Sequence, residues 1–195
     1  MATQTDTRQH ILDSSREVIL GKGFTAVGLS ELLSVAGVPK GSFYHYFRSK
    51  ESFGEALLED YFERYLERMD RILRPDGRDA AERLMRYWTL WTESQEAFEF
   101  GTRCLVVKLG AEVSDLSENM REILHRGTER IVTRLAQCLM EGIRDGSLPG
   151  SMKPVQAALA LYDLWLGATL MTKLRHDTHA FKNALLATRQ MLQIQ

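Results

Sequence analysis

Apolar positions recur along most of this chain at three- and four-residue spacing, the period of a helix with one buried face. Ile11, Leu12, Val18 and Ile19 mark such a face near the start, with Ser15 on the same side. Asp6 or Thr7 is placed to cap that helix, which runs to about Leu20. Gly21 and Gly23 end it, and Phe24 follows as the plug of a small core. Leu29, Leu32, Leu33 and Ala36 define a second, short helix. Gly37 stops it, because only glycine enters the left-handed region freely, and Pro39 cannot continue it. A third segment from about Lys40 to Phe47 sets Phe43 and Phe47 four apart on one side. Ser49 then caps a long helix carrying Phe53, Leu57, Leu58, Tyr61, Phe62, Tyr65, Leu66, Met69 and Leu73. Pro75-Asp76-Gly77 is the clearest break in the chain.

Beyond that break the same period continues. Asp79 and Glu82 are spaced as a capping box for a helix with Leu84, Tyr87, Trp88 and Trp91. Glu93 to Glu99 reads as a polar turn, and Gly101 to Glu112 as a short apolar helix holding Cys104, Leu105, Val106, Val107 and Leu109. Asp115 and Glu118 are spaced as a second capping box, opening a helix to about Arg144. A loop at Asp145 to Gly150 precedes a helix opened by Pro154 and ending near Lys173. Asp177 or Thr178 caps a last helix through Gln190. No strand alternation or internal repeat appears. The expectation is an all-α chain of about nine helices, divided into residues 1–50 and 51–195, with the helix over 50–73 as the connection.

The stretch from Gly28 to Lys50 has the plan of a helix-turn-helix, and its second helix has chemistry suited to DNA. Lys40 and Ser42 stand at that helix's N-terminus, where backbone N–H groups favour phosphate. Gly41 lets the backbone approach a surface closely. Tyr44, His45 and Tyr46 are stiff donors for phosphates, base edges or a thymine methyl. Lys50, opening the next helix, is a further candidate for a phosphate. The plainer reading makes the two tyrosines half-buried aromatics of a small bundle. Charge adds little: the whole chain carries a net −1, while its first 50 residues hold six Lys and Arg against four Asp and Glu.

Gly23-Phe24, Leu32 through Gly37-Val38, Gly41-Ser42-Phe43-Tyr44-His45-Tyr46-Phe47 and Lys50 resemble the DNA-binding domain of the TetR family of repressors, over about residues 7–60. The resemblance implies a TetR-like, all-helical homodimer on a double-stranded operator. A three-helix N-terminal domain would read DNA, and a C-terminal domain would bind effector and dimerise. Gly28 stands where the family often has a Ser or Thr cap. Ser30, a further candidate DNA contact, stands where some members place a longer side chain.

The helix from Pro154 to Lys173 is apolar on more than one face, which calls for burial on two sides. Either it is a fully buried central helix, or a partner subunit covers one side. In the second case Leu161, Leu164, Trp165 and Ala168, with Phe181 and Leu185 of the last helix, form the seam. The family resemblance favours the seam.

Cys104 is the candidate sensor, with Lys108 one helical turn away to stabilise its thiolate. Cys138, among Leu135, Leu139 and Ile143, reads as core. The run Thr102 to Leu109, Ala111 to Val113, Asp115 to Arg121 and Leu164-Trp165-Leu166-Gly167-Ala168 is similar to the TetR branch that represses N-ethylmaleimide reductase. That branch is associated with reactive electrophiles and oxidants, and Cys104 matches its sensor position. Lys173 is expected to be buried near the pocket and partly deprotonated, or else a helix-terminal cation. The alternative effector is a reversibly bound hydrophobic molecule in a pocket lined by Trp88, Trp91, Phe98, Phe100 and Tyr162, with Trp165 nearby. A thiol-dependent enzyme is the remaining class. It lacks a His or Asp near Cys104, and no nucleophile, metal or phosphate motif appears, so no cofactor is expected.

Two cysteines make no disulfide framework, Met1 to Thr7 lacks an apolar leader core, and Ala157 to Met171 is short and interrupted by Asp163. A cytoplasmic protein with no membrane partner is expected.

Overall fold

The computed structural model describes residues 4–93 and 104–194. Among the described residues there are nine α-helices and no strand. They are α1 Gln4–Lys22, α2 Leu29–Ala36, α3 Lys40–Tyr46, α4 Lys50–Leu73, α5 Ala80–Glu93, α6 Leu105–Leu116, α7 Glu118–Asp145, α8 Pro154–Arg175 and α9 His179–Leu192. The chain divides into two compact units, Met1–Glu63 with Lys108–Arg126, and Arg64–Val107 with Gly127–Gln195.

Local signals account for most helix ends. Gly37 closes α2 at φ 63°, and the backbone N–H groups of Gly37 and Val38 donate to Ser34 and Leu33 carbonyls at 3.3 and 3.2 Å. Ser49 and Ser52 cap reciprocally at the start of α4, each backbone N–H donating to the other's hydroxyl at 3.0 Å. The Asp79–Glu82 capping box forms, at 2.8 and 3.3 Å. Asp177 accepts the His179 N–H at 2.9 Å ahead of α9, while Thr178 makes no side-chain cap.

Other ends differ from the sequence reading. The first helix starts at Gln4 and runs through Gly21 to Lys22. The second capping box does not form, because α6 continues through Asp115 to Leu116. The break falls at Ser117 instead, whose hydroxyl accepts the Met120 N–H at 3.4 Å. Helix α8 runs two residues past Lys173, to Arg175, and stops at His176 with φ 55°.

The first unit is built around Ile11, Leu12, Ile19, Phe24, Val27, Leu32, Phe43, Phe47 and Phe53, all buried. The connection between α1 and α2 is clasped from two helices. Glu112 of α6 accepts the backbone N–H groups of Phe24 and Thr25 at 3.1 and 2.5 Å, and the Thr25 hydroxyl as well. Lys108, one turn earlier on α6, donates to the Gly21 carbonyl at 3.1 Å. Lys50 of α4 donates to the Phe24 carbonyl at 2.7 Å. Residue 50 is therefore not where the compact units part. The clasp, with Ser117 donating to Glu51 at 2.5 Å and Asn119 to Glu55 at 3.0 Å, places most of α6 and the start of α7 in the first unit.

The second unit packs an aromatic cluster. The Trp88 and Trp165 rings stack with centroids 4.8 Å apart, and Phe181 stacks beyond Trp165 at 6.0 Å. The Trp91 indole N–H donates to Thr169 and that of Trp165 to Thr188, both at 3.0 Å. Buried Arg83 donates to the Leu73 carbonyl at 2.5 Å and to Glu141 at 2.8 Å.

Two outcomes follow from the first unit. A methyl group on Gly54 would stand 2.7 Å from the Phe24 ring and 2.8 Å from Met120. Alanine normally gains about 1 kcal/mol over glycine inside a helix, while overpacking a tight core costs about 1–3 kcal/mol. Gly54→Ala is expected to lower the thermal midpoint, with a net loss of about 1 kcal/mol. Glu112 is the second case. Burial pushes its carboxyl up, but the bonds from Thr25 and Phe24, with Lys108 nearby, outweigh burial and leave it below the ordinary 4.5. A depressed carboxylate stabilises the fold above its unfolded value and loses that contribution as pH falls through the folded one. Glu112→Gln should cost on the order of 1 kcal/mol at neutral pH in urea denaturation, discounted for partial exposure, and the difference should close under acid conditions below the usual Glu range.

Candidate functional site

Seven residues make a marginal helix, so α3 owes its form to what it packs on. The Ser42 and Phe43 N–H groups donate to the Pro39 carbonyl at 3.0 and 3.3 Å, which starts the helix. Phe43 and Phe47 are buried, and both rings lean on Phe53 of α4, at 5.6 and 5.2 Å. That anchoring decides what is left outside. Lys40, Gly41, Tyr44 and His45 are exposed, with Tyr44 at 46%, and Ser42 and Tyr46 are half-buried. Lys40 sits over the Tyr44 ring at 5.8 Å, and the His45 and Tyr46 rings meet edge-on at 4.8 Å. Ser30 is exposed on α2, whose N-cap, Gly28, makes no side-chain hydrogen bond. The helical pattern thus brings the α3 residues together on one face of the first unit.

Lys50 is a correction. Its ammonium lies over the Phe24 ring at 4.6 Å and donates to the Phe24 and Thr25 carbonyls at 2.7 and 3.4 Å. Burial lowers its pKa, with Glu112 opposing. Its charge is committed to the α1–α2 connection. An exposed cation passed over in the sequence, Arg48, lies directly after α3.

Cys104 is 3% exposed and stands immediately before α6 rather than inside it. Lys108 does not serve it as expected, since its ammonium is bonded to Gly21. The charge of the thiol is felt by two buried phenols, Tyr87 and Tyr162. The hydroxyls of Tyr65 and Tyr87 share a hydrogen bond of 2.5 Å, fully buried. Burial pushes the Tyr87 phenol far above its usual range, the Tyr65 bond opposing and the charge of Cys104 adding to it. Tyr162 is also raised, by burial and then by the charges of Cys104, Tyr87 and Asp163. Nothing in sequence spacing announced this, because Tyr65, Tyr87 and Tyr162 come from α4, α5 and α8. Cys138 is buried core as expected, and burial raises its thiol to about 11.

Three further expectations change. Lys173 is exposed on α8, not buried near a pocket. Trp88, Trp91 and Trp165 are at most 1% exposed and pack on one another, so they form core and not an open pocket. Phe98 and Phe100 lie outside the described residues. A surface groove of 360 Å³ is lined instead by Asp79, Ala81, Glu82, Met85, Ser147, Arg189 and Ile194. Of the six seam residues, Leu161, Trp165, Ala168 and Phe181 are buried in their own unit, and only Leu164 and Leu185 are partly exposed. The apolar residues that α8 leaves open are Val155, Leu159, Leu170 and Leu174, and Leu186 of α9 is exposed as well. Four of the six residues expected in the seam thus face their own unit's core.

Among the described residues no group of three His, Cys, Asp or Glu could hold a metal ion, and no helix is long and apolar enough to cross a membrane.

Residues 11–57 match the model of bacterial regulatory proteins of the tetR family, and residues 80–188 that of the tetracyclin repressor-like C-terminal domain. The chain is 42% identical over 192 residues to the HTH-type transcriptional repressor NemR of Escherichia coli K12, covering 97% of this chain and 96% of that protein. It is 30% identical to the HTH-type transcriptional repressor DhaR of a Mycobacterium species, strain GP1, covering 89% and 86%. The crystal structure of reduced E. coli NemR superposes with a TM-score of 0.89 over 95% of this chain and 96% of that one. A TetR regulatory protein from Rhodobacter sphaeroides, 31% identical, gives 0.84 over 94% and 97%. The helix-turn-helix, the nine-helix order and these full-length likenesses place the chain in the TetR family of DNA-binding transcriptional regulators.

Proposed function

We propose that the chain is a dimeric repressor that leaves a pseudo-palindromic operator when Cys104 is alkylated or oxidised. The observation that carries the DNA-binding part is the outward set Lys40, Gly41, Tyr44 and His45 on a helix pinned from behind by Phe43 and Phe47. A short helix with a cation near its start and flat donors along it suits a major groove. Lys40 and Arg48 serve phosphates, and Tyr44, His45, Ser42, Tyr46 and Ser30 are the candidates for bases or sugar–phosphate oxygens.

A second copy covers the leucine face of α8 and α9. Leu174 and Leu186 are 64% and 61% exposed, with Val155, Leu159 and Leu170 also open on α8, and a cluster of exposed large apolar side chains marks an association surface. Two copies then present two α3 helices, and successive major grooves on one side of DNA lie about 34–36 Å apart. Release needs only a change in that separation, a coupling between sites of the ordinary allosteric kind.

The sensing part is supported by Cys104 standing directly ahead of α6, whose Glu112 and Lys108 hold the α1–α2 connection, and by the influence of its charge on the buried phenols Tyr87 and Tyr162. Alkylation joins sulfur to an electrophile's carbon, and the displaced π-electron pair takes up a proton from water. The added bulk at a 3% exposed position has to be accommodated by movement. A reversibly bound hydrophobic effector is the second reading. It is favoured by the buried indole N–H of Trp88 and the buried hydroxyl of Thr172, which have no hydrogen-bond partner among the described residues. Its marker would be release by a removable ligand in Cys104→Ser.

Three outcomes test the proposal with duplexes from the promoter of the protein's own gene. Treatment with N-ethylmaleimide should abolish binding in an anisotropy titration, and Cys104→Ser should resist; equal release of both proteins rejects Cys104 as the sensor. Lys40→Ala should weaken binding and reduce the salt slope by about 1. Leu170→Glu with Leu174→Glu should yield a folded monomer by sedimentation and remove tight operator binding.

A further inference from the structure

The first 50 residues hold six cationic side chains, and the fold itself occupies three of them. Arg16 is held by Asp60 at 2.5 Å, Lys22 by Glu31 at 2.6 Å, and Lys50 is bonded to the Phe24 and Thr25 carbonyls. Arg8, Lys40 and Arg48 have no ion pair with a carboxylate among the described residues. Two of these three belong to α3 or its end. Lys40 is its first residue, and Arg48 is exposed and follows Phe47, which closes it. The third comes from another helix. Arg8 stands near the start of α1, and its guanidinium lies over the Phe47 ring, 5.5 Å from the centroid. All three belong to one compact unit and gather at the two ends of α3.

A half-buried arginine on a core ring has an ordinary explanation, since a guanidinium is attracted to an aromatic face and its stem covers apolar surface. That contact does not occupy the five N–H donors, which lie in the plane of the guanidinium. No described residue accepts a hydrogen bond from them. Length decides what the three cations reach. Seven residues at about 1.5 Å each make α3 about 10 Å long, and a major groove is about 12 Å wide. A helix of that length lying across the groove brings its start to one sugar–phosphate strand and its end to the other.

We propose that Arg8 is a DNA-binding residue, holding a phosphate on the strand opposite the one Lys40 meets, so that α3 is secured at both ends. Phe47 is its platform: the ring that anchors α3 from behind also sets the position of a cation from α1. Arg48, at the same end of α3, carries a second charge to that strand. Phosphate contacts carry no base information. Arg8 therefore raises affinity for every sequence and fixes the register in which Tyr44 and His45 meet base edges. The inference rests on the reading of α3 as the helix that enters the groove, and adds to it a residue from outside the helix-turn-helix.

The test is binding of the full chain to the promoter duplex by fluorescence anisotropy at several salt concentrations. Each neutralised phosphate releases about one counterion, so losing the contact lowers the slope of log K against log salt by about 0.9 for each half-site. Arg8→Met removes the charge and keeps an unbranched stem on Phe47. Its affinity deficit against the parent should shrink about threefold per half-site as salt rises from about 50 to about 200 mM. Arg8→Lys should restore the parent slope, because a phosphate accepts from an ammonium as from a guanidinium. Arg16→Met removes the same charge from the same helix, where Asp60 already pairs it, and should keep the parent slope. Thermal midpoints of the variants check folding. A parental slope in Arg8→Met would overturn the proposal and leave Arg8 a cover for Phe47. An equal drop in Arg16→Met would overturn it as well, since net charge would then account for the effect. Lys40→Ala tests the α3 reading separately. A slope lowered there and unchanged in Arg8→Met sinks this inference alone, and a parental slope in Lys40→Ala sinks that reading.

Discussion

A seven-residue helix cannot hold itself together in water, and which side of α3 faces outward depends on how the helix is anchored. Phe43 and Phe47 are the anchor. Four residues apart, they fall on one side of the helix and lock against Phe53 at the start of α4. Once that side is spent, the outward set is no longer a choice: Lys40, Gly41, Tyr44 and His45 must face away. A change of helix phase by one residue would bury a tyrosine and expose a phenylalanine. The outward side of α3 is thus a by-product of core packing, which also holds it in place.

The second constraint concerns backbone polar groups. The connection from Gly21 to Gly28 has N–H and C=O groups that no helix satisfies. Glu112, Lys108 and Lys50 supply their partners, two from α6 and one from α4. The arrangement ties the first unit's loop to residues only four and eight positions beyond Cys104 along the chain. The helix that supplies two of these partners begins one residue after Cys104. Lys108 and Lys50, which sequence reading assigned to the thiol and to DNA, are both used in this way.

How much was legible follows from range. The period of apolar residues placed the helices, and local caps at Gly37, Ser49 and Asp79 were readable because their partners lie within a few residues. The outward face of α3 was readable for the same reason. What escaped were contacts made across the fold. Asp115 and Glu118 had capping-box spacing, yet α6 ran through Asp115 because its apolar Val113 is buried and keeps the helix going. Lys173 looked like a buried amine because its helix is apolar, but it falls on an exposed side. The α8 seam was assigned to the large residues, and those pack inward, since the Trp88–Trp165 stack fills the unit's own core. Tyr87 and Tyr162, the phenols that feel the charge of Cys104, come from two helices and share no motif.

The central claim is that two α3 helices, held apart by the leucine faces of paired subunits, read two half-sites at once. The most direct measurement is the affinity for an operator duplex whose two half-sites are moved apart by half a helical turn, about 5 base pairs. The account predicts that binding falls to the non-specific level, because the second helix then meets the opposite side of the DNA. Undiminished affinity for the lengthened duplex, at the same salt, would contradict it.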